Sequence, residues 1–213
     1  MKIACIFLAS GYSTRYGRNK LVLQLPTGKE GQTECLVECV WNHLPKELFS
    51  QVIVVTKYDE IAKIAERRGY TVIRNIANRD DIAETIRLGL AAISQETEGC
   101  LFSVCDQPYL STDSIRAVVK EFTAGGGKRI EALGWQGQRG NPVLFPKMLF
   151  EELHSLQPNE SGKAVIQKHQ ELLHIVEAST KKELDDIDKE ADMMQLLEEM
   201  NRWNLGLQKN KSF

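Results

Sequence analysis

The sequence predicts an α/β fold: a single domain whose helices cover both faces of a mostly parallel, partly mixed central sheet. Two observations lead to this class. Short runs rich in β-branched residues alternate with segments of helical period, and the runs have a continuous apolar character instead of alternating with polar residues. Strands of this kind are buried on both faces. With 213 residues, 42% of them hydrophobic, the chain can form one sizeable core.

The first half of the chain repeats a strand followed by a helix. Gly69, Gly99 and Gly125 lie at or near the ends of three of the helices, as expected for helix-terminating residues. Such an order predicts parallel strands joined by crossovers. The predicted strands are 2–9, 51–56, 71–75 and 99–105, and the predicted helices are 33–44, 59–68, 82–94 and 112–122.

The pattern changes after the three glycines at 125–127. Two short strands, 130–135 and 142–145, are followed by helices and by a last strand at 173–176. We interpret this part as a mixed extension of the same sheet. Residues 1–200 are therefore predicted to form one domain, and residues 201–213 a polar C-terminal tail.

The charge of the chain excludes some partners. A net charge of -2 and a pI near 6.1 provide no general basic field, so nucleic acid and anionic membranes are poor candidates as principal partners. The N-terminal segment is nevertheless locally cationic, which suits a local anion site. Its cations, which all precede the first carboxylate at Glu30, are Lys2, Arg15, Arg18, Lys20 and Lys29.

Cysteine usage and hydropathy bear on the compartment. The five cysteines are scattered with no spacing typical of a secreted disulfide framework, which favours a reducing environment. The apolar run at 3–9 is too short to span a membrane and lacks the features of a signal peptide. We therefore expect a cytoplasmic protein.

A glycine-rich, basic loop follows the first predicted strand. Gly11 and Gly17 would let backbone amides approach an anion, and Arg15, Arg18 and Lys20 gather three cations within six residues, which suits a polyphosphate. The spacing fits neither a Walker loop nor the dinucleotide fingerprint. The alternative is a solvated basic surface loop.

A carboxylate ends another predicted strand. Asp106 follows the apolar run at 99–105, at the edge where ligands of open α/β sheets bind. Mg²⁺ needs one or two protein carboxylates and takes its other ligands from water and phosphates. The alternative role of Asp106 is to cap a helix or shape a turn.

Four motifs in order resemble the molybdenum cofactor nucleotidyltransferases. They are Leu-Ala-Ser-Gly-x-Ser-x-Arg-x-Gly-x-x-Lys from residue 8, Asp-Gln-Pro from 106, Gly-Gln-Arg-Gly-Asn-Pro-Val-Leu-Phe from 137 and Asp-Ile-Asp from 186. The resemblance runs over residues 3–197. The cytidylyltransferase branch is the most similar, because the guanylyl branch usually has a second glycine where this chain has Ser10.

The resemblance implies a GT-A-like, Rossmann-related fold, a nucleotide and Mg²⁺. The nucleotide would bind at Leu8, Ala9, Ser10, Gly11, Ser13, Arg15, Lys20, Asn75 and Thr85. The acceptor would bind at Arg139, Gly140 and Asn141. Metal ligands would be Asp106 and Asp188, with Asp186 as the alternative to Asp188, and the catalytic residues would be Arg15, Lys20 and Asp106.

The implied reaction is attack by the phosphate of the molybdopterin cofactor on the α-phosphorus of CTP, with release of pyrophosphate. The product would pass to a molybdenum hydroxylase through transient contact. Two alternatives stay open: transfer of another nucleotide or to another acceptor, such as a sugar phosphate, and a catalytically silent cofactor chaperone.

Three departures from the family pattern bear on the acceptor. Cys105 replaces a glycine and is expected to pack inward as a core thiol. Asp80, Asp81 and Glu84 lie where the family has Gly-Met-Ser-Ser-Ser, and their charges would repel a phosphate. Asn141 replaces a histidine.

Overall fold

The computed structural model describes residues 1–11, 19–27, 32–76 and 81–209, with side chains through residue 202. The strands are β1 (Ile3–Ala9), β2 (Gln24–Pro26), β3 (Thr33–Cys35), β4 (Gln51–Thr56), β5 (Thr71–Arg74), β6 (Gly99–Val104), β7 (Ile130–Trp135), β8 (Gln138–Pro146) and β9 (Leu173–Glu177). The helices are α1 (Leu36–Asn42), α2 (Asp59–Arg67), α3 (Ile82–Ala91), α4 (Thr112–Ala124), α5 (Phe150–His154), α6 (Gly162–Lys168) and α7 (Glu190–Lys209).

The main sheet has the order β5-β4-β1-β6-β8-β7-β9. Strands β5, β4, β1 and β6 are parallel, β8 is antiparallel to both of its neighbours, and β9 is parallel to β7. The predicted mostly parallel, partly mixed sheet is thus confirmed.

The core lies on both faces of the sheet. On β1, Phe7 belongs to a buried cluster that includes residues of α1, α2, α4 and α7, whereas the neighbouring Ile6 belongs to a second cluster with residues of α3, α5 and α6. Alternate side chains of β1 therefore supply two cores, which is why this strand contains no polar residue. The predicted αβα sandwich is confirmed.

The predicted strands and helices of the first half of the chain are confirmed to within a few residues, with one error. Residues 33–35, predicted as the start of a helix, form β3 and pair with β2. The helix begins at Leu36, where the Glu38 carboxylate accepts a hydrogen bond from the N–H of Cys35 at 3.0 Å. Antiparallel pairing with β2, which is separated from β3 by six residues, outweighs the local helical pattern here.

The last helix, α7, continues through residue 200, where the predicted domain boundary falls. Met193 and Leu196 of this helix are buried in the core. The separation of residues 201–213 as a tail stays a prediction. Among the residues described, α7 included, no helix combines the length and hydrophobicity needed to cross a membrane.

Candidate active site

The carboxyl ends of β1 and β6 border a cleft. The chain passes from β1 to β4 and β5 on one side and then to β6 on the other, so strand order reverses at this point, where open α/β sheets bind ligands. A cavity of about 460 Å³ lies here. Its lining is Leu8, Ala9, Ser10, Gly11, Lys20, Leu21, Ile82, Thr85, Val104, Cys105, Asp106 and Asn159.

The Lys20 ammonium occupies the centre of the charged part of this cleft. Lys20 is the first residue of a short 3₁₀ turn, Lys20–Val22. The Asn19 side chain caps the start of this turn, and Leu21 is buried. Nζ of Lys20 donates to Oδ2 of Asp106 at 2.7 Å and to Oδ1 of Asp188 at 3.0 Å. It also donates to the carbonyl of Ile187 at 2.7 Å.

Electrostatics keep this lysine protonated. Burial by itself would lower the pKa of Lys20, but the charges and hydrogen bonds of Asp106 and Asp188 outweigh burial and raise the pKa. The Lys20 side chain is 14% exposed, against 52% for that of Asp188. The cleft therefore contains a fixed positive charge against which an anionic ligand can bind.

The segment that carries Asp186 and Asp188 is attached to the end of β6. The N–H of Ile187 donates to the carbonyl of Asp106 at 2.9 Å, and the Ile187 side chain is buried. The buried Gln107 amide donates to Oδ1 of Asp186 at 2.9 Å. Burial and the negative charges of Asp106 and Asp188 raise the pKa of Asp186 to about 6.

The two acidic positions therefore differ in their surroundings. Asp188 lies opposite Asp106 across the Lys20 ammonium, whereas Asp186 is bound to Gln107. Three oxygens, from Asp106, Ile187 and Asp188, converge on one cationic group, and hard oxygen ligands of this kind suit Mg²⁺. Among the described residues, no group of three or more His, Cys, Asp or Glu is placed so that it could hold a metal ion, so a metal here would complete its shell with water and substrate.

The first loop presents its backbone to the cavity. The Ser10 hydroxyl is buried and donates to the carbonyl of Val55 at 3.0 Å, so this side chain attaches the end of β1 to β4. The carbonyl of Gly11 accepts a hydrogen bond from the Tyr58 hydroxyl at 2.9 Å. Ser13 and Arg15, both predicted nucleotide contacts, lie outside the described residues.

Asn75 and Thr85 are brought together from different elements. The Asn75 amide donates to Oγ1 of Thr85 at 3.2 Å, and both side chains are buried. Thr85 in turn donates to the carbonyl of Asp81 at 3.2 Å and lines the cavity. Asn75 thus orients a hydroxyl at the wall of the predicted nucleotide site.

Arg139 and Asn141 line a second cavity of about 250 Å³. It shares Leu8, Ile82 and Val104 with the first, so the two cavities are neighbours. Gly140, between them in the sequence, allows a close approach: a Cβ there would lie 2.7 Å from Cδ2 of Leu184. The backbone at Gly140 therefore lies beside the start of the segment that carries Asp186 and Asp188, while Arg139 and Asn141 face the second cavity.

The acidic residues that differ from the family pattern, Asp81 and Glu84, have hydrogen-bond and ion-pair partners in the structure. Asp81 caps α3 by accepting the N–H of Ala83 at 3.0 Å, and it also accepts the N–H of Asn159 at 3.1 Å. Arg87 lies 2.8 Å from the Glu84 carboxylate and 3.6 Å from that of Asp81. Asp81 thus joins α3 to the loop at Asn159, and Arg87 partly neutralises both carboxylates, which weakens the repulsion that we expected. Asp80 lies outside the described residues.

Cys105, which replaces the family's glycine next to the predicted metal ligand Asp106, is buried. Its side chain is within reach of the Trp41 indole, and burial, aided by the charge of Asp106, raises its pKa strongly. The thiol therefore stays protonated, in keeping with its expected role as a core residue.

Three contributors to the site were missed by the sequence reasoning. The Ile187 carbonyl, the Gln107 amide and the Asn159 loop each contact or line it. Gln107 could have been found, because it lies inside the Asp-Gln-Pro motif. A backbone carbonyl leaves no signature in a sequence.

Comparison with known proteins decides the family. The model of the MobA-like NTP transferase domain matches residues 5–172. The chain belongs to the MobA-like NTP transferase family. Nucleotidyl transfer is therefore its class of reaction. The matched segment contains Lys20, Asp106 and Arg139, and it ends before Asp186 and Asp188.

Solved structures share the fold of this family member. A nucleotidyl transferase from Methanothermobacter has 21% identity and a TM-score of 0.76, covering 94% of this chain and 98% of its own. A Mycobacterium tuberculosis H37Rv protein in complex with manganese has 21% identity and a TM-score of 0.68, covering 93% and 99%.

A more distant relative was solved with a nucleotide. CMP:2-keto-3-deoxy-manno-octonic acid synthetase, complexed with CTP, has 10% identity and a TM-score of 0.69, covering 95% and 99%. The search of curated proteins gave no match. At these identities the solved structures establish the shared fold, and the family match carries the class of reaction.

Proposed function

We propose that the protein transfers CMP from CTP to the phosphate of the molybdopterin cofactor, with release of pyrophosphate and with Mg²⁺ as the metal. The observation that carries the proposal is the Lys20 ammonium held between Asp106 and Asp188 at the carboxyl ends of β1 and β6. One cation and two carboxylates beside a glycine-containing loop are suited to a metal-bound triphosphate.

Each group has a role in this proposal. The backbone at residues 8–11 holds the nucleotide, and Lys20, with Arg15, offsets the negative charge of the phosphates. Asp106 and Asp188 hold Mg²⁺, which supplies further charge neutralisation when bound. A phosphate nucleophile is already ionised at neutral pH, so the reaction needs no general base.

The nucleotide and the acceptor have separate support. Ser10 and the order of the four motifs favour the cytidylyltransferase branch, and a CTP complex is known for the same fold. For the acceptor, Arg139 and Asn141 line a cavity beside the first one. We propose that the product reaches a molybdenum hydroxylase through transient contact in the cytoplasm, a compartment that suits five free, buried cysteines.

The test is pyrophosphate release with Mg²⁺ and each of CTP, GTP, ATP and UTP, with and without molybdenum-loaded molybdopterin. We expect release with CTP only when the cofactor is present. Asp106→Asn and Asp188→Asn should each lower turnover by about 10²-fold or more, because a carboxylate ligand is lost. Asp186→Asn should have a smaller effect, since that carboxylate contacts Gln107 and not the ammonium.

The control is Lys147→Gln, which removes an exposed cation that donates to the carbonyl of Gln95, near the start of β6 and so away from the strand ends that border the cleft. This variant should keep full turnover. Release that is equal for all nucleotides would contradict the CTP assignment. Binding of the molybdopterin cofactor without any release of pyrophosphate would contradict the proposed transfer activity and favour a cofactor chaperone.

A further inference from the structure

A loop from a distant part of the chain completes one wall of the first cavity, the one that contains Lys20. Asn159 of this loop lines the cavity, as do Ile82 and Thr85 of α3. Asn159 is exposed, and among the described residues no hydrogen bond uses its side-chain amide. The amide is therefore available to a ligand in the cavity.

A tight turn fixes the backbone at this position. The N–H of Glu160 donates to the carbonyl of Gln157 at 3.0 Å, which closes a four-residue turn with Pro158 and Asn159 at its centre. Asn159 has a φ of +67°, as the third residue of a type II turn does. Glycine is the usual residue at that position, and asparagine is tolerated there. The chain thus carries an amide where glycine would serve the turn equally well.

Two residues of the α3 region hold the loop in place. The buried Asp81 carboxylate, which caps α3, accepts the N–H of Asn159 at 3.1 Å. Nη1 of Arg87 donates to the carbonyl of Leu156 at 2.5 Å. Both contacts are made to backbone groups of the loop, so they position it and leave the Asn159 side chain free to bind. Asp81 also accepts the Thr85 hydroxyl at its own carbonyl, at 3.2 Å.

The polar groups of the cavity are of two kinds. The described lining has one cation, Lys20, which contacts Asp106, so the phosphates and their metal suit that part of the cavity. Thr85 and Asn159 are uncharged and offer both donors and acceptors, which match the hydroxyl and amide groups of a nucleoside. The Asp81 carboxylate behind them does not attract a phosphate. The wall formed by α3 and the loop therefore suits the nucleoside part of a nucleotide.

We propose that Asn159 contacts the nucleoside part of the bound nucleotide through its side-chain amide, and that Asp81 is a positioning residue that acts through Asn159. The inference rests on the proposed binding of a nucleoside triphosphate in the first cavity. It assigns the loop at 155–161 to nucleotide recognition, in addition to the backbone at residues 8–11.

The variant that tests the contact is Asn159→Gly. Glycine adopts the positive φ of this turn without strain, so the loop keeps its conformation and only the amide is lost. In calorimetric titrations of the full-length protein with Mg²⁺ present, we expect CTP to bind about threefold to tenfold more weakly to this variant. Inorganic tripolyphosphate, which lacks the nucleoside, should bind to the variant and to the wild type with equal affinity.

The matched control is Gln136→Gly. Among the described residues, Gln136 is the other non-glycine residue with a positive φ, of +49°, and it belongs to the described lining of neither cavity. Gln136→Gly should leave both affinities unchanged. If Asn159→Gly bound CTP as tightly as the wild type, the contact would be overturned and the proposed transfer would stand. If the wild type bound no nucleoside triphosphate, the proposed function itself would be contradicted, and this inference with it.

A double substitution tests the role of Asp81. Asp81→Ala removes the acceptor of the Asn159 N–H and should weaken CTP about as much as Asn159→Gly does, whereas Asp81→Asn keeps an oxygen acceptor and should restore most of the affinity. If Asp81 acts through Asn159, adding Asp81→Ala to Asn159→Gly should cause no further loss of CTP affinity. A full further loss would show that Asp81 acts independently and would overturn its positioning role. Should Asp81→Ala fail to fold, Asp81→Ser replaces it, because serine also caps helices and its side chain is one atom shorter.

Discussion

Lys20 already occupies a position where three oxygens meet. A divalent cation bound to Asp106 and Asp188 would need two of the same oxygens, so the ammonium and the metal compete for them. A phosphate entering the cleft would offer Lys20 a new anionic partner. We therefore expect Lys20 to bind the phosphate of an entering nucleotide. Before the nucleotide binds, we expect it to compete with a metal ion for the oxygens of Asp106 and Asp188.

Replacing Lys20 should separate these two effects. In Lys20→Gln we expect turnover to fall by about 10²–10³-fold, because a charge facing the phosphates is lost. In the absence of nucleotide, however, the same variant should bind Mn²⁺ several times more tightly, measured by electron paramagnetic resonance of free Mn²⁺, since the competing cation is gone. Lys147→Gln should change neither quantity. Unaltered Mn²⁺ affinity in Lys20→Gln would show that the ammonium does not occupy the metal position.

Individual residues were predicted unequally well from the sequence. Lys20 and Asp106 follow from strand ends and motif spacing, and the structure brings them within 2.7 Å. The choice between Asp186 and Asp188 stayed open, because residues two apart satisfy the same motif. In the structure, Asp188 accepts a hydrogen bond from Lys20 and Asp186 accepts one from Gln107, and both contacts depend on tertiary structure.

At the scale of elements, the short turn Lys181–Leu184 fixes the acidic segment that follows it. Its Glu183 is buried and accepts the N–H groups of Ser111 at 3.0 Å and Ser179 at 2.9 Å. It therefore joins the turn to the start of α4. Burial alone would raise the pKa of Glu183, but hydrogen bonds from Ser111, Ser114 and Ser179 outweigh burial and lower it.

This lowered pKa predicts a pH dependence. A carboxylate with a folded pKa below its unfolded value, about 4.3, contributes stability above that value, and the contribution is lost as pH falls through the folded pKa. Glu183→Gln should therefore lower the free energy of unfolding at pH 7 by about 1–3 kcal/mol. The difference from the wild type should shrink below about pH 4, in urea unfolding followed by circular dichroism.

Glu198→Gln is the matched control for this prediction, because that side chain is 70% exposed and pairs only with Arg202 among the described contacts. It should change stability by less than about 0.5 kcal/mol at either pH. If the difference in the free energy of unfolding between Glu183→Gln and the wild type stayed constant with pH, the charge of Glu183 would not be what stabilises the turn.

Elements with strong signals in their own residues were predictable, and those that depend on contacts with other segments were not. The apolar runs of β1, β4 and β6 identify buried strands because both of their faces supply a core. Residues 33–35 carry no such signal, and they become a strand by pairing with β2. The turn at 181–184 owes its position to hydrogen bonds with Ser111, about 70 residues earlier.

On the scale of the whole molecule, both cavities open at one edge of a single sheet. Residues from β1, β6, β8, α3 and the 159 loop line them, so a ligand in the first cavity contacts parts that are distant in the sequence. Binding to the folded state alone stabilises the entire fold by mass action. Nucleotide binding should therefore be visible in global unfolding, even when no transfer occurs.

We accordingly expect CTP with Mg²⁺ to raise the melting temperature. At a nucleotide concentration 100 times the dissociation constant, the stabilisation is about 2.7 kcal/mol, or roughly 5–10 °C for a chain of this size. Calorimetry with CTP and EDTA should give a much smaller shift, because no metal ion then separates the triphosphate from the carboxylates of Asp106 and Asp188. Lys147→Gln should keep the full shift, whereas Asp106→Asn should lose its dependence on Mg²⁺. An EDTA-resistant shift in the wild type would mean that the nucleotide binds through Lys20 and the backbone alone, with the two carboxylates holding the lysine and no metal.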